Sequence, residues 1–303
     1  RPQGHIEQMI EKGKQLVLQG EHQAALKVAD TILADKSNSA AALMVKGDAY
    51  RGMNRTDQAA GEYVRAHECA QMYLEPLKRL AALYEELGDD EKQLSFLDKL
   101  DELSPLNVAR KMRIGGLHMA MGDEEKGKQS YARAMEVATR EAAQNASNVA
   151  MDIAERLLGV DAEAAETFYR KALSLKGRHL DRSDVETFNR LGIALRRQKR
   201  PKAAITEYTR ALALAPDDEN LYYNMAMAHL EAGEFQLARS RVEKVLQLNR
   251  SFARHSQVLS YNVGMIYYKN GEVDTGSTYF KQSLKLDPGY RPARQMLEKI
   301  AKG

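Results

Sequence analysis

Residues 43–66 read LMVKGDAYRGMNRTDQAAGEYVRA, and this stretch decides the fold. Leu43, Gly47 and Tyr50 follow one another at helical spacing, and Ala59, Tyr63 and Ala66 do so again after a short break. Working outward, the small residue of the first helix returns as Gly13, Gly47, Ala81 and Gly115, each 34 residues from the next. The bulky residue three places on returns with it, as Leu16, Tyr50, Tyr84 and His118. A fixed period in this range marks a stack of helix pairs. Such a stack presents long surfaces in place of a catalytic pocket.

The bulk properties agree. Apolar residues make up 44% of the 303, enough for a packed core; Trp is absent and only 7 Pro occur, which favours helix over strand. The net charge of +3 is nearly balanced and is no signature of a nucleic-acid binder. Cys69 is the single cysteine, so no intrachain disulfide can form, and it is expected as a small buried residue of a second helix. No apolar run reaches the length of a membrane span. The sequence offers no signal peptide, so the cytoplasm is the expected compartment; it starts at Arg1 without Met and with repeat sequence almost at once, so a further domain upstream is an expectation too.

In the first unit, Ile6, Met9, Ile10, Gly13, Leu16 and Val17 form one apolar face, Gly20 stops that helix, and Ala25, Leu26, Ala29, Ile32 and Leu33 face inward from a second. The small residue at Gly13 lets two helices approach closely. The third unit carries Leu77, Ala81, Tyr84, Gly88, Leu97 and Pro105, and the fourth Gly115, His118, Gly122, Gly127, Tyr131 and Ala134. A weak fifth has Ile153, Arg156, Ala165, Tyr169 and Ala172. The sixth has Phe188, Gly192, Leu195, Ala204, Tyr208, Ala211 and Pro216, the seventh Tyr222, Ala226, His229, Gly233 and Ala238, and the eighth Gly264, Tyr267, Gly271, Gly276, Phe280 and Pro288. This pattern resembles the tetratricopeptide repeat (TPR) family. The resemblance implies an all-α, right-handed superhelix (an α-solenoid) of about eight helix-turn-helix repeats, with a capping helix over 289–302.

The period slips in three places. Gly115 to Ile153 is 38 residues, Ile153 to Gly192 is 39, and Ala226 to Gly264 is 38. The extra residues fall near Thr139–Val149, Lys176–Asp184 and Arg250–Ser256. The chain is therefore expected as a single solenoid over 1–303, with a regular block over 6–139, an irregular fifth repeat near 140–180 and a second block over 183–288. A long helix is expected around Ala142–Leu158, and a loop at Gly177–Arg182 closed by Ser183 and Glu186 as a capping box.

Nothing in the sequence has the spacing that chemistry needs. There is no G-x-S-x-G, P-loop, H-E-x-x-H or Cys pair, and no two His stand four apart as metal ligands on one helix would. His118 and His229 read as packed between helices. Asp89-Asp90-Glu91 and Asp217-Asp218-Glu219 read as helix starts, where carboxylates cap free N–H groups. No catalytic residue, cofactor or metal is expected.

By the TPR resemblance, the first helix of each repeat lines a concave channel. The positions that would face it hold Lys78, Arg79, Glu85 and Arg113 in repeats three and four, and Asn189, Arg190 and Arg196 in repeat six. Repeat seven supplies Asn220, Tyr223, Asn224 and Met227, and repeat eight Tyr261, Asn262, Met265 and Tyr268. A row of amides can donate to and accept from a peptide backbone, and tyrosines add contact area beside it. Arg79, Arg113 and Arg190 would favour an acidic partner. Some TPR proteins hold a chaperone's terminal carboxylate with a Lys–Asn–Asn–Lys–Arg set; this sequence places Ile193 and Val258 where that set needs Asn and Lys, and Met44 and Asp48 where it needs Lys and Asn, so that clamp is rejected. The basic run Arg196-Arg197-Gln198-Lys199-Arg200-Pro201-Lys202 lacks interleaved aromatics, and neither nucleic acid nor membrane insertion is expected.

The expected function is a non-catalytic scaffold that holds a protein or peptide in the groove. The stretch 97–141, with Asp101-Glu102-Leu103-Ser104-Pro105 and Thr139-Arg140-Glu141-Ala142, also looks like the TPR region of bacterial regulators with a phospho-receiver domain. That likeness would imply a place in signal transduction. The alternatives are a self-assembling homo-oligomeric scaffold, or a targeting subunit of a larger enzyme or of a secretion or pilus complex.

Overall fold

The computed structural model describes residues 3–141, 143–177 and 179–302. Among them are seventeen α-helices and no strand. The chain divides into two compact units, Arg1–Val137 and Ala138–Gly303.

The first unit holds α1 (Gln3–Leu18), α2 (His22–Asp35), α3 (Ala40–Gly52), α4 (Thr56–Cys69), α5 (Glu75–Leu87), α6 (Asp90–Leu103), α7 (Val108–Ala120) and most of α8 (Glu124–Glu141). The second holds the end of α8, then α9 (Ala143–Leu157), α10 (Ala162–Lys176), α11 (Val185–Arg197), α12 (Pro201–Leu214), α13 (Glu219–Glu231), α14 (Phe235–Leu248), α15 (Gln257–Lys269), α16 (Val273–Leu286) and α17 (Arg291–Ala301). Consecutive helices pack as pairs, with Gly115 of α7 against Tyr131 of α8 in the fourth, and within each unit α2, α4, α6, α10, α12, α14 and α16 also pack on the helix that follows.

The helix starts are local chemistry. Ser39, Asp89, Asn107, Asp161, Asp218 and Ser256 each accept from a backbone N–H of the first turn that has no partner inside the helix. Both acid clusters are thus caps, as their sequence implied. The turn inside seven of the eight pairs is made by a left-handed residue. Gly20, Gly88, Gly122, Gly233 and Gly271 supply it, and Asn54 and Lys199 adopt it at φ 58° and 60° without being glycine. The turn between α9 and α10 departs from this: it runs over four residues, 158–161, with no left-handed residue.

The small residue of the first helix has a steric cause. A Cβ on Gly47 would lie 2.5 Å from the Tyr63 ring, and one on Gly115 the same distance from Tyr131. Gly192 and Gly264 face Tyr208 and Phe280 in the same way. Ala81 is tolerated in repeat three, where the residue sixteen places on is Leu97, slimmer than a ring. The core of the first unit runs through Leu43, Leu77, Leu80 and Leu97, and that of the second through Val242, Val263 and Ile266.

The insertions take different forms. The first lengthens α8 to 18 residues where α4 and α6 have 14. The long helix expected around Ala142–Leu158 is α9; Ala142 itself lies outside the described residues. The second is a loop closed by a 3-10 turn over Arg182–Asp184. Its capping box is made by Asp181 and Asp184, not by Ser183 and Glu186: Asp181 accepts from the Ser183 N–H at 2.7 Å and donates its own N–H to Asp184 at 2.9 Å. Asp181, directly ahead of the turn and two residues before Ser183, reaches that N–H group, so the box forms before Ser183. The third insertion fills a gap. Repeat eight has Ser260 where repeats two, three and six have Leu43, Leu77 and Phe188; buried Ala253 lies beside it and accepts from its hydroxyl at 2.6 Å.

Cys69 is exposed, contrary to expectation. It continues the inward face of Tyr63 and Ala66, but it is the last residue of α4 and nothing packs over it.

Candidate binding surface

The polar residues singled out on the first helices of the second unit touch one another across repeats. Asn224 on α13 donates its amide N–H to Asn189 Oδ1 on α11 at 2.7 Å. Asn262 on α15 donates to the Tyr223 hydroxyl on α13 at 2.6 Å, and burial pushes that hydroxyl's pKa up. These bonds leave the Asn189 NH₂, the Asn224 carbonyl, the Tyr223 O–H and the Asn262 carbonyl for something else. Donors and acceptors therefore alternate along the face.

Aromatic rings continue it. Tyr261 packs on Phe280 and on Tyr290 with centroids 5.7 Å apart, Tyr268 leans on Phe280, and Tyr223 meets Phe252 at 5.2 Å. Met227 lies half-buried against the core of the unit, whereas Asn220 is exposed in the first turn of α13.

The arginines are less available than their sequence suggested. Arg190 lies on Glu186 at 2.7 Å and Glu155 at 3.4 Å. In the first unit Arg79 lies on Asp48 at 3.3 Å, and Arg113 on Glu85 at 3.1 Å and the Gln93 side-chain oxygen at 2.9 Å. Each cation carries a carboxylate beside it, so the expected positive tone is largely neutralised. The basic run is likewise occupied. Arg196 forms a two-pronged pair with Glu231, Arg197 donates to the Leu158 carbonyl at 2.6 Å, and Arg200 lies 2.7 Å from Glu166. Lys199 turns the chain.

A second surface went unnoticed in the sequence. A groove of about 770 Å³ runs along α1, α3 and α5, lined by Val17, Leu18, Met44, Tyr73, Arg51 and Glu86 among others. Arg79 sits in it, but Tyr73 comes from the connection before α5, off the helical pattern. The 34-residue spacing of Lys14 and Asp48, and of Val17 and Arg51, was the available signal for this column.

His229 is packed between helices as read, with Nδ1 2.7 Å from Glu234; His118 is half-buried. Among the described residues no cluster of three His, Cys, Asp or Glu could hold a metal, and no helix is long and apolar enough to cross a membrane.

Comparison with known proteins places this architecture. Three family models, each described as Tetratricopeptide repeat, match residues 10–72, 183–251 and 259–290, together more than half of the chain. The chain is a tetratricopeptide repeat protein. Among solved structures, this TPR protein is similar to BtubC from P. vanneervenii at 15% identity and a TM-score of 0.52, over 71% of this chain and 93% of that one. It is similar to PilW, a widely conserved type IV pilus biogenesis factor, at 16% identity and 0.51, over 74% and 98%. The C-terminal part of a TPR repeat-containing protein from Cytophaga hutchinsonii gives 16% and 0.50, over 95% and 99%. At these identities the likeness is one of fold alone. The TPR chain is also 24% identical over 196 residues to the Homo sapiens Protein O-mannosyl-transferase TMTC3, covering 60% of itself but only 20% of that protein.

Proposed function

We propose that this TPR protein is a non-catalytic scaffold whose first helices in repeats six to eight hold an extended segment of a partner protein. The observation that carries the reading is the paired arrangement of Asn224 with Asn189 and of Asn262 with Tyr223. Each pair fixes the rotamers of the groups left over, so alternating donors and acceptors meet a peptide backbone with little ordering cost. Tyr261 and Tyr268 add aromatic area beside the amides. Because Arg79, Arg113 and Arg190 already face carboxylates, recognition rests on the neutral backbone more than on acidic side chains. The groove along α1, α3 and α5 supports a second contact for the same partner or another.

Mannosyl transfer is no part of this reading, since only a fifth of that relative is covered. Output from a receiver domain, targeting of a larger enzyme and pilus assembly differ in which partner is bound; the binding face is the same in each.

The test is capture from lysate by the intact chain and by Asn224→Ala with Asn262→Ala, read by mass spectrometry, with circular dichroism on both. A partner held by the intact chain and lost by the double variant at unchanged helicity supports the reading. Identical partners on both baits overturn it.

A further inference from the structure

Repeat four breaks a rule that its neighbours keep. Leu43, Leu77 and Phe188 fill the same point of repeats two, three and six as fully buried apolar side chains; repeat four has Lys111 there, only 6% exposed. A buried ammonium needs a counter-charge, and Lys111 Nζ finds Asp101 Oδ2 at 2.5 Å. Replacing such a buried pair by an apolar side chain is commonly neutral or stabilising, so stability alone does not account for the lysine. The other oxygen of the same carboxylate, Asp101 Oδ1, is buried and accepts no hydrogen bond. Asp101 and Lys111 both line a cavity of about 430 Å³ between α6, α7 and α8, within the first unit.

The cavity walls are of opposite charge. The α6 wall presents Asp98, Asp101 and Glu102, three and four residues apart on one helical face. The α8 wall presents Lys126 and Arg133, and His118 stands on the α7 floor. Lys126 is taken by Asp123 at 3.0 Å. Among the described residues no ion pair engages Asp98, Glu102 or Arg133. Burial pushes the Asp98 carboxyl up even though His118 and Arg133 pull it down, while Asp98 and Glu102 stay exposed and open to a ligand. The volume lies at the small end of ligand cavities, about 300–1,000 Å³, and suits one residue-sized molecule.

We propose that this cavity binds a free basic amino acid, with its guanidinium or ammonium against Asp98, Asp101 and Glu102 and its carboxylate on Arg133. The site is separate from the peptide-holding face and does not depend on it. Charge-assisted bonds at both ends make the requirement for a zwitterion strict.

Calorimetric titration of the intact chain with L-arginine, with agmatine (which lacks the carboxylate) and with L-glutamate tests this. L-Arginine should give a saturable one-to-one isotherm, and the other two should bind about tenfold more weakly or not at all. Glu102→Gln and Arg133→Gln alter exposed side chains, leave helicity unchanged, and should each weaken L-arginine by about tenfold. No saturable heat with millimolar L-arginine, equal binding of agmatine, or an Arg133→Gln chain that binds as the parent does would each overturn the proposal.

Discussion

Tyr63 donates its hydroxyl to Asp48 Oδ1 at 2.6 Å, joining the second helix of repeat two to the first. Asp48 then takes Arg79 of repeat three at 3.3 Å. The same relation recurs in the other unit, where Tyr169 donates to Glu155 at 2.6 Å and Glu155 faces Arg190 at 3.4 Å. A buried phenol, a carboxylate and the next repeat's arginine thus form a link within and between repeats. Arg79 and Arg190, read from the sequence as groove cations, each close such a link.

Removing the carboxylate from this link leaves a buried phenol without its acceptor. Asp48→Ala and Glu155→Ala should each lower stability by about 1–3 kcal/mol. Chemical denaturation of each variant against the parent measures it, and an unchanged midpoint would show the hydroxyls to be satisfied otherwise.

The same tyrosines set an alkaline limit. Burial raises Tyr63 and Tyr169, and it pushes Tyr208 and Tyr267 up to about 12. A folded-state pKa above the unfolded value near 10 means that the folded chain holds more protons between the two. The tyrosines' contribution to stability is therefore full below pH 10 and is lost as pH rises toward 12. Thermal melts at pH 8, 9.5 and 11 should show the midpoint constant over the first step and lower at the third.

Glu166 should set an acid limit in the second unit. Burial pushes its carboxyl up, but bonds from Gln198 and Arg170 and the charge of Arg200 outweigh it and hold the group below the usual range. A depressed carboxylate contributes stability above its unfolded pKa and loses it as pH falls. Glu166→Gln should flatten the decline in melting temperature below about pH 4.5 that the parent shows. Parallel slopes for parent and variant would refute this role.

The glycine of the first helix is required by the ring it faces. Gly47→Ala should cost about 1–3 kcal/mol, because the new Cβ meets the Tyr63 ring. Combining it with Tyr63→Leu recreates the Ala81 and Leu97 pairing of repeat three, so the double variant should lose less than the sum of the singles. A double-mutant cycle by urea denaturation checks the sign of the coupling.

Lys199 holds a left-handed conformation at the turn where five other repeats use glycine. Its side chain is exposed. Lys199→Gly should relieve strain and stabilise by about 0.5–1 kcal/mol, read as a higher melting temperature. A lower one would mean that the lysine side chain contributes a contact.

The helix pairs and most of their boundaries were legible in the sequence, since caps, turns and the small-against-ring contact are made by residues at most sixteen apart. Where reading failed, the deciding partner was not local or the cap had a close rival. Cys69 follows the inward period, yet α4 ends beneath it. At the loop after α10, Asp181 captures the N–H groups before Ser183 can. Tyr73 reaches the groove of the first unit from a connection that has no period to read.

The 34-residue period by itself determined that this chain folds as stacked helix pairs, because burying one stripe on every helix leaves no other arrangement for that spacing. Which polar side chains remain available was decided only by tertiary structure. Stacking sets Asn189 against Asn224, 35 residues on, and Arg79 against Asp48, 31 residues back. Whether two such neighbours satisfy each other depends on rotamers and on distances of a few tenths of an ångström, and no one-dimensional pattern carries those.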